Sequence, residues 1–472
     1  MEHREEAPQG PAQAEAPPGQ LLNILGLSFG LAGAIGATIG AGILRTPGIV
    51  AAQLPNPLWL LGAWLLGGMF ALMGALCVAE LATSLPRAGG WYVFAKAAFG
   101  PRAGWLVGWT DWLAHCIGLA WEATTVGEVA AELLPNQLVA PALTERLLAL
   151  FSLAVFLALQ LFGLRVASAS QDLLSLLKAL VFLALVIACF LLPPPAAEAS
   201  VAPVRFWLQA QSWPGPSVPW STLLWPAVLA LQAVITTFDG WVSPVYFAEE
   251  FKDPARDLPR ALIGGVLLVL ALYLLINAAL LHVLPLEDLA RSPLPAATAA
   301  QKLMGPLGHQ LITAVALVAL LGLINTVVMA AARILFGLSR DGLFPSWGAT
   351  VSAAGTPTAA LLFTAGVAAL LVVGGSFQRL LGLGAVLYVC LPLTGVAALF
   401  RLRAQPTELT QPRTFRAWAF PLPPLLVAAV SLAFLAGEVV TRPLDCLLAL
   451  MMVATGIPFL WRQAKAASPT DA

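Results

Sequence analysis

Charge is scarce in this chain: 24 Lys and Arg and 24 Asp and Glu together make up 10% of 472 residues, and they cancel. Nothing therefore suggests nucleic acid as a partner, and the basic residues carry information only through where they lie. The four histidines, His3, His115, His282 and His309, are dispersed. No nucleophile with its base and no set of metal ligands emerges, so the chain reads as a non-enzyme without a cofactor. Five cysteines, Cys77, Cys116, Cys189, Cys390 and Cys446, lie in apolar segments without paired spacing. That is the pattern of buried thiols rather than of a disulfide framework. A basic n-region followed by an apolar core is also missing at the start, so no cleaved signal is expected, and 1–20 reads as a disordered tail rich in Pro, Ala, Glu and Gln.

What is abundant is apolar. With 59% hydrophobic residues and a mean hydropathy of +0.86, the chain exceeds what one soluble core could hide, and it reads as an all-α integral membrane protein. At about 20 residues per span, twelve transmembrane helices are expected, at 21–53, 57–83, 103–134, 144–164, 168–192, 221–250, 258–284, 306–338, 357–374, 379–402, 420–438 and 443–462. With both termini in the cytoplasm, 16 Lys and Arg fall on the cytoplasmic side, 7 on the external side and Lys178 within a span, as the positive-inside rule prefers. The stretch 85–101 opens with a Pro-Arg-Ala-Gly-Gly turn and continues as an amphipathic helix, Trp91 to Phe99, on the cytoplasmic surface.

Two spans are interrupted. Gly33 to Gly42 places four glycines in ten residues inside the first, at about 1 kcal/mol each relative to Ala in a helix interior. Span six is interrupted at Thr236-Thr-Phe-Asp-Gly-Trp241, at a matching depth. Five spans precede the sixth, an odd number, so two five-span units, 21–192 and 221–403, must have opposite topology, joined by a Pro- and Trp-rich external linker at 193–220. The remainder, 404–472, holds an accessory pair of helices and a short tail. An inverted repeat with discontinuous first helices points to a transporter site at the midplane. Small-xxx-small packing at Gly36 and Gly40 is the plainer reading of span one, but it does not explain the matched break in span six.

Unpaired backbone at membrane depth is tolerated only against a cavity or a ligand. Half-helix ends offer N-H groups near Gly40, Ala41 and Gly42 to a carboxylate, and carbonyls near Ile35, Thr38, Thr236, Thr237 and Phe238 to an ammonium. A zwitterion fits both. Asp239 at the midplane is either a functional carboxylate or a helix cap, and Trp241 and Phe238, which flank the break, are read as gating or lining residues. Lys178 lies roughly 15 Å into span five on a polar stripe with Gln171 and Ser175. Asp111, His115 and Glu122 share a face of span three, as interhelical hydrogen-bonding groups or as a proton path. The charged run Glu249 to Asp257 is expected to latch to other cytoplasmic loops.

The combination of Ile39-Gly-Ala-Gly-Ile43, Pro47-Gly48, Ala79-Glu-Leu81, Pro86-Arg-Ala-Gly-Gly90 with Tyr92, the Phe-Asp-Gly-Trp break and the Glu249 to Pro259 loop resembles the amino acid, polyamine and organocation transporter superfamily. Within it, the chain resembles the L-type amino acid transporter group with its bacterial relatives. The resemblance implies a LeuT-like five-plus-five inverted repeat in the plasma (inner) membrane. It also implies secondary transport of L-amino acids, neutral ones in the favoured reading, by sodium-independent exchange or proton-coupled uptake. A cationic amino acid or polyamine porter and a non-transporting amino acid sensor are the alternatives. It assigns substrate binding to Thr38, Ala41, Gly42, Ile43, Thr236, Phe238, Asp239 and Gly240, and to Lys178 the place of a sodium ion. Ala41 stands where many relatives have Ser, and Asp239 where the animal L-type exchangers have Gly. Those animal relatives join a single-span glycoprotein through a cysteine in the loop after span three. That loop, Glu132 to Arg146, has no cysteine here, so no covalently linked heavy subunit is expected; the partners foreseen are an amino acid substrate and the lipid bilayer.

Overall fold

The computed structural model describes residues 20–40, 42–54, 56–134, 140–192, 220–375, 377–405 and 414–460. The tail at 1–19, most of the expected linker at 193–219, and Ala41 lie outside the described residues.

The first expected span is two helices, α1 (Leu27–Thr38) and α2 (Gly42–Gln53), bent by 48° at the glycine-rich break. Next come α3 (Pro57–Ser84), α4 (Trp91–Phe99), α5 (Pro101–Glu132), α6 (Pro141–Leu161) and α7 (Leu164–Leu191). After the linker, α8 (Trp220–Thr237) ends in a turn and continues as a 3-10 segment, Ser243–Glu250. The chain goes on with α9 (Pro254–Val283), α10 (Leu286–Arg291), α11 (Pro295–Met304), α12 (Pro306–Arg340), α13 (Thr358–Gly374), α14 (Phe377–Ala404), α15 (Leu422–Thr441) and α16 (Pro443–Ala454). Proline at the first helical position starts several of these, where its missing N-H costs nothing. Side-chain caps finish two: Asn56 accepts from Leu58 N at 2.8 Å ahead of α3, and Asp253 from Arg256 N at 3.2 Å ahead of α9.

Among the described residues, eight helices are long and apolar enough to cross a membrane, or nine if the bent α1–α2 pair is one span. The protein is thus an all-α, multi-pass membrane bundle. Three expected spans fall short for separate reasons. The 32-residue α5 packs against α4, α6, α12, α13 and α14, so its neighbours are protein, and it accommodates Asp111, His115 and Glu122 at the expense of hydropathy. In the sixth, the apolar helix stops at Thr237, and in the ninth α13 has only 17 residues.

The helix Trp91–Phe99 has the expected bounds but not the expected setting. Trp91, Tyr92, Val93, Phe94, Ala95 and Ala98 are buried, because α4 is wedged against α5 and α14 rather than lying on a surface. One end of the bundle is tied by charge. Asp341 pairs with Lys96 at 2.8 Å and Arg87 at 3.0 Å, Glu249 pairs with Arg340 and accepts from Ala88 N at 3.1 Å, and buried Glu250 holds Arg333 at 2.6 Å. Backbone bonds Leu25 N to Glu250 O at 2.8 Å and Lys252 N to Leu25 O at 2.9 Å join the entry of α1 to the end of the 3-10 segment. The acidic start of the expected latch therefore does bind neighbouring elements, through Glu249 and Glu250.

Candidate functional site

The two interruptions meet. Gly240 has φ +106, a conformation only glycine adopts readily, and a Cβ there would run into the backbone of Ala37 and Thr38. The turn after α8 thus lies directly against the end of α1. Gly42, at the start of α2, faces Thr237, where a Cβ would come 3.2 Å from the Thr237 methyl. The Thr46 and Thr237 hydroxyls are 2.7 Å apart, and Thr237 donates to Ala233 O at 2.8 Å, which fastens α2 to α8.

Tyr273 of α9 was not singled out by its sequence context. Its hydroxyl lies 2.9 Å from Thr38 O and 3.2 Å from Thr237 O, the terminal carbonyls of both broken helices. The ring is fully buried against Trp64 (centroids 5.3 Å apart) and Phe238 (5.0 Å), so the hydroxyl has little freedom to leave. One O-H proton serves two acceptors, and both helix ends are drawn to one point. Other carbonyls foreseen for an ammonium already accept a bond: Ile35 O from Ile39 N at 2.9 Å, and Thr236 O from Asp239 N at 3.3 Å.

Phe238 is buried, whereas Thr236 and Asp239 are exposed. Asp239 Oδ1 accepts from Gly240 N at 2.9 Å. The carboxylate steadies the turn itself rather than capping the following segment, whose N-cap position is Val242. Ile43 is fully buried in the core. Trp241 packs in a groove lined by Gly74, Cys77, Trp91, Pro392 and Gly395.

Lys178 is fully buried, and its Nζ donates to Gly36 O at 2.7 Å and Ile39 O at 3.1 Å. These carbonyls belong to the unwinding end of α1, so a fixed positive charge sits at the negative pole of a half-helix. Gln171 and Ser175 lie two turns and one turn away and both donate to Ala32 O, at 3.3 and 2.7 Å. The stripe continues through Asn325, which donates to Gln171 Oε1 at 2.9 Å and accepts from Gln160 at 2.7 Å. Interhelical amide contacts of this kind hold α1, α6, α7 and α12 together where apolar packing alone gives little direction.

A membrane bundle with a discontinuous first helix, a second interruption pressed against it and an ammonium on its carbonyls has the features of a secondary-transporter site. The amino acid permease family model matches residues 22–457, and the chain belongs to that family. It is 25% identical over 450 residues to the serine/threonine exchanger SteT of Bacillus subtilis, covering 93% of this chain and 97% of that protein. It is 28% identical over 431 residues to the human large neutral amino acids transporter small subunit 2, covering 90% and 77%, and 27% identical over 434 residues to the mouse Asc-type amino acid transporter 1, covering 90% and 78%. The protein is a membrane-embedded, secondary-active amino acid transporter and not an enzyme.

These relatives correct one expectation. A protein matching 90% of this chain is named as a small subunit, a name that presupposes a further subunit. The missing cysteine in Glu132 to Arg146 speaks only of one attachment point, so it does not carry the expectation that no covalently linked heavy subunit accompanies the chain.

Proposed function

We propose that the protein moves neutral L-amino acids by alternating access, with the substrate held between the breaks at Thr38 to Gly42 and Thr236 to Gly240. The observation that carries this reading is the junction itself: Gly240 abuts Ala37 and Thr38, and Tyr273 ties the two carbonyl ends. The substrate carboxylate takes the N-H end at Gly40, Ala41 and Gly42, and the ammonium takes carbonyls of α1 and α8, whose second lone pairs stay open beside Tyr273. Ile43 and Phe238 shape the pocket, and Trp241, packed in its groove, gates from behind the turn. Lys178 supplies at Gly36 and Ile39 the positive charge that a sodium ion would otherwise bring, so transport runs without sodium. The names of the relatives, a serine/threonine exchanger and a large neutral amino acid transporter among them, favour neutral substrates.

In this reading the chain is a twelve-helix, five-plus-five inverted repeat of the plasma membrane, 21–192 and 221–403, with both termini cytoplasmic and spans eleven and twelve accessory. The Arg87, Lys96 and Arg340 cluster then closes the cytoplasmic side, and Thr236 and Asp239 face the opposite opening. The test is counterflow of labelled L-amino acids into sodium-free proteoliposomes loaded with unlabelled amino acid. Exchange that requires sodium, or flux confined to cationic substrates, would reject the reading.

A further inference from the structure

The interior of α5 carries a buried pair that the substrate site does not use. Asp111 has no exposed surface, and His115, one turn on, is nearly as buried. His115 Nδ1 is 3.1 Å from Asp111 Oδ1 and 2.9 Å from Asp111 O. Both are acceptors, so Nδ1 carries a hydrogen and Nε2 is the position where a proton comes and goes. The Tyr246 hydroxyl, from the 3-10 segment, donates to the same Oδ1 at 3.1 Å, while Asp111 Oδ2 has no hydrogen-bond partner. The imidazole is walled by Tyr246 at 4.8 Å and Tyr388 of α14 at 5.7 Å between ring centroids.

The charges around the pair are unbalanced. Asp239 acts on His115 and on Asp111 from the break in span six, and the only other ionisable groups bearing on the pair among the described residues are Tyr246 and Tyr388. Glu122 and Cys116 share the helix. Of the cations on the elements packed against α5, Lys96 of α4 is engaged with Asp341, Arg333 and Arg340 of α12 with Glu250 and Glu249, and Arg403 of α14 with Glu80. Arg146 of α6, His309 of α12 and Arg379 and Arg401 of α14 are exposed. Glu145 of α6 and Asp445 of α16 are acidic, and α13 has no charged residue. A carboxylate so enclosed is expensive unless a positive charge joins it.

We propose that Asp111 and His115 are a proton-binding site, which takes one proton at His115 Nε2 from water and carries it as an imidazolium–carboxylate pair during amino acid transport. The inference rests on the transport reading above and names the coupling ion. Its link to the cycle is Tyr246. The carbonyl of Tyr246 accepts from Gly89 N at 3.2 Å, and Gly90 leaves no room for a Cβ beside its ring. Opening the bundle at the Arg87 and Asp341 end must therefore withdraw Tyr246 from Asp111. Water then reaches the pair, hydrates both charges, and the proton on Nε2 leaves to that side.

The full chain in proteoliposomes with an entrapped pH dye tests this, using a pool of labelled L-amino acids in sodium-free buffer. Wild type should acidify the lumen when substrate is added and should accumulate substrate under an inside-alkaline gradient. His115→Gln, whose amide still donates to Asp111, should lose the dye signal and about tenfold of the gradient-driven accumulation while retaining counterflow. Tyr246→Phe keeps the ring and removes only the donor, so the pH midpoint of uptake should shift. A full dye signal in His115→Gln, or an unshifted midpoint in Tyr246→Phe, overturns the assignment, as does net substrate uptake by wild type without proton movement. Loss of counterflow in wild type would instead overturn the transport reading along with it. A purely structural pair would lower all fluxes alike and leave the pH profile in place.

Discussion

The ammonium of Lys178 sits 2.7 Å from the carbonyl oxygen of Gly36 and 3.1 Å from that of Ile39, so one side chain of α7 closes the unwinding end of α1. The contact lies there because α1 ends at Thr38, which leaves its last carbonyls without partners in the helix. Lys178→Ala strands two carbonyls in a low-dielectric site, at about 1 to 3 kcal/mol, and should abolish sodium-free counterflow with the protein still in the membrane. Wild-type kinetics in that variant would remove the ion-replacing role. Gly322→Ala offers an independent check, since its Cβ would fall 2.6 Å from Lys178 Cε. It should reproduce the loss in milder form.

Tyr273→Phe keeps the ring between Trp64 and Phe238 and deletes only the tie between Thr38 O and Thr237 O. The missing hydrogen bond is worth about 1 kcal/mol, or roughly fivefold in affinity. Substrate KM should rise with little change in maximal rate. A wild-type KM would show that the two carbonyl ends hold their positions unaided.

Gly42→Val sets a branched side chain against Thr237 at the start of α2, where the substrate carboxylate is to sit. Binding of labelled substrate to purified protein should be lost, while expression and monodispersity in detergent are retained. Normal affinity in a folded Gly42→Val protein would move the carboxylate elsewhere. Gly240→Ala, at φ +106 and against Ala37, should by contrast damage folding itself.

Asp239→Asn preserves an oxygen that can accept from Gly240 N, so exchange of neutral substrates should stay within about tenfold of wild type, the scale on which a polar contact is kept or lost. Asp239→Ala removes the acceptor and should cost more. Severe loss in the Asn variant would mean that the negative charge itself is used, and would turn attention to cationic substrates.

Burial opposes charge on Asp341, but Lys96 and then Arg87 and Arg340 outweigh it and hold its carboxyl below the ordinary aspartate range. A carboxyl depressed in the folded state contributes its stability above the unfolded value and loses it as pH falls through the folded one. Acid below the ordinary aspartate range should therefore loosen this end of the bundle, and Asp341→Asn should do so at neutral pH. Accessibility of a cysteine introduced at Ala88 to a thiol reagent is the readout; equal labelling in the two backgrounds would contradict it.

Much was legible in the chain by itself. Apolar length and glycine content are one-dimensional properties, so the break near Gly40, the interruption at Asp239 and Gly240, the depth of Lys178 and the helix Trp91–Phe99 could all be read without a fold. The polar stripe of Gln171, Ser175 and Lys178 was likewise a matter of helical spacing. The partners of these groups were not legible, because spacing along one segment states which residues share a face and not which segment lies opposite. Tertiary packing alone put the Tyr273 hydroxyl between Thr38 and Thr237, sent Trp241 into the groove beside Gly74, and brought Tyr246 to Asp111. It also lowered the hydropathy of α5, since a helix surrounded by protein has room for Asp111, His115 and Glu122 where a lipid-facing helix would need apolar residues.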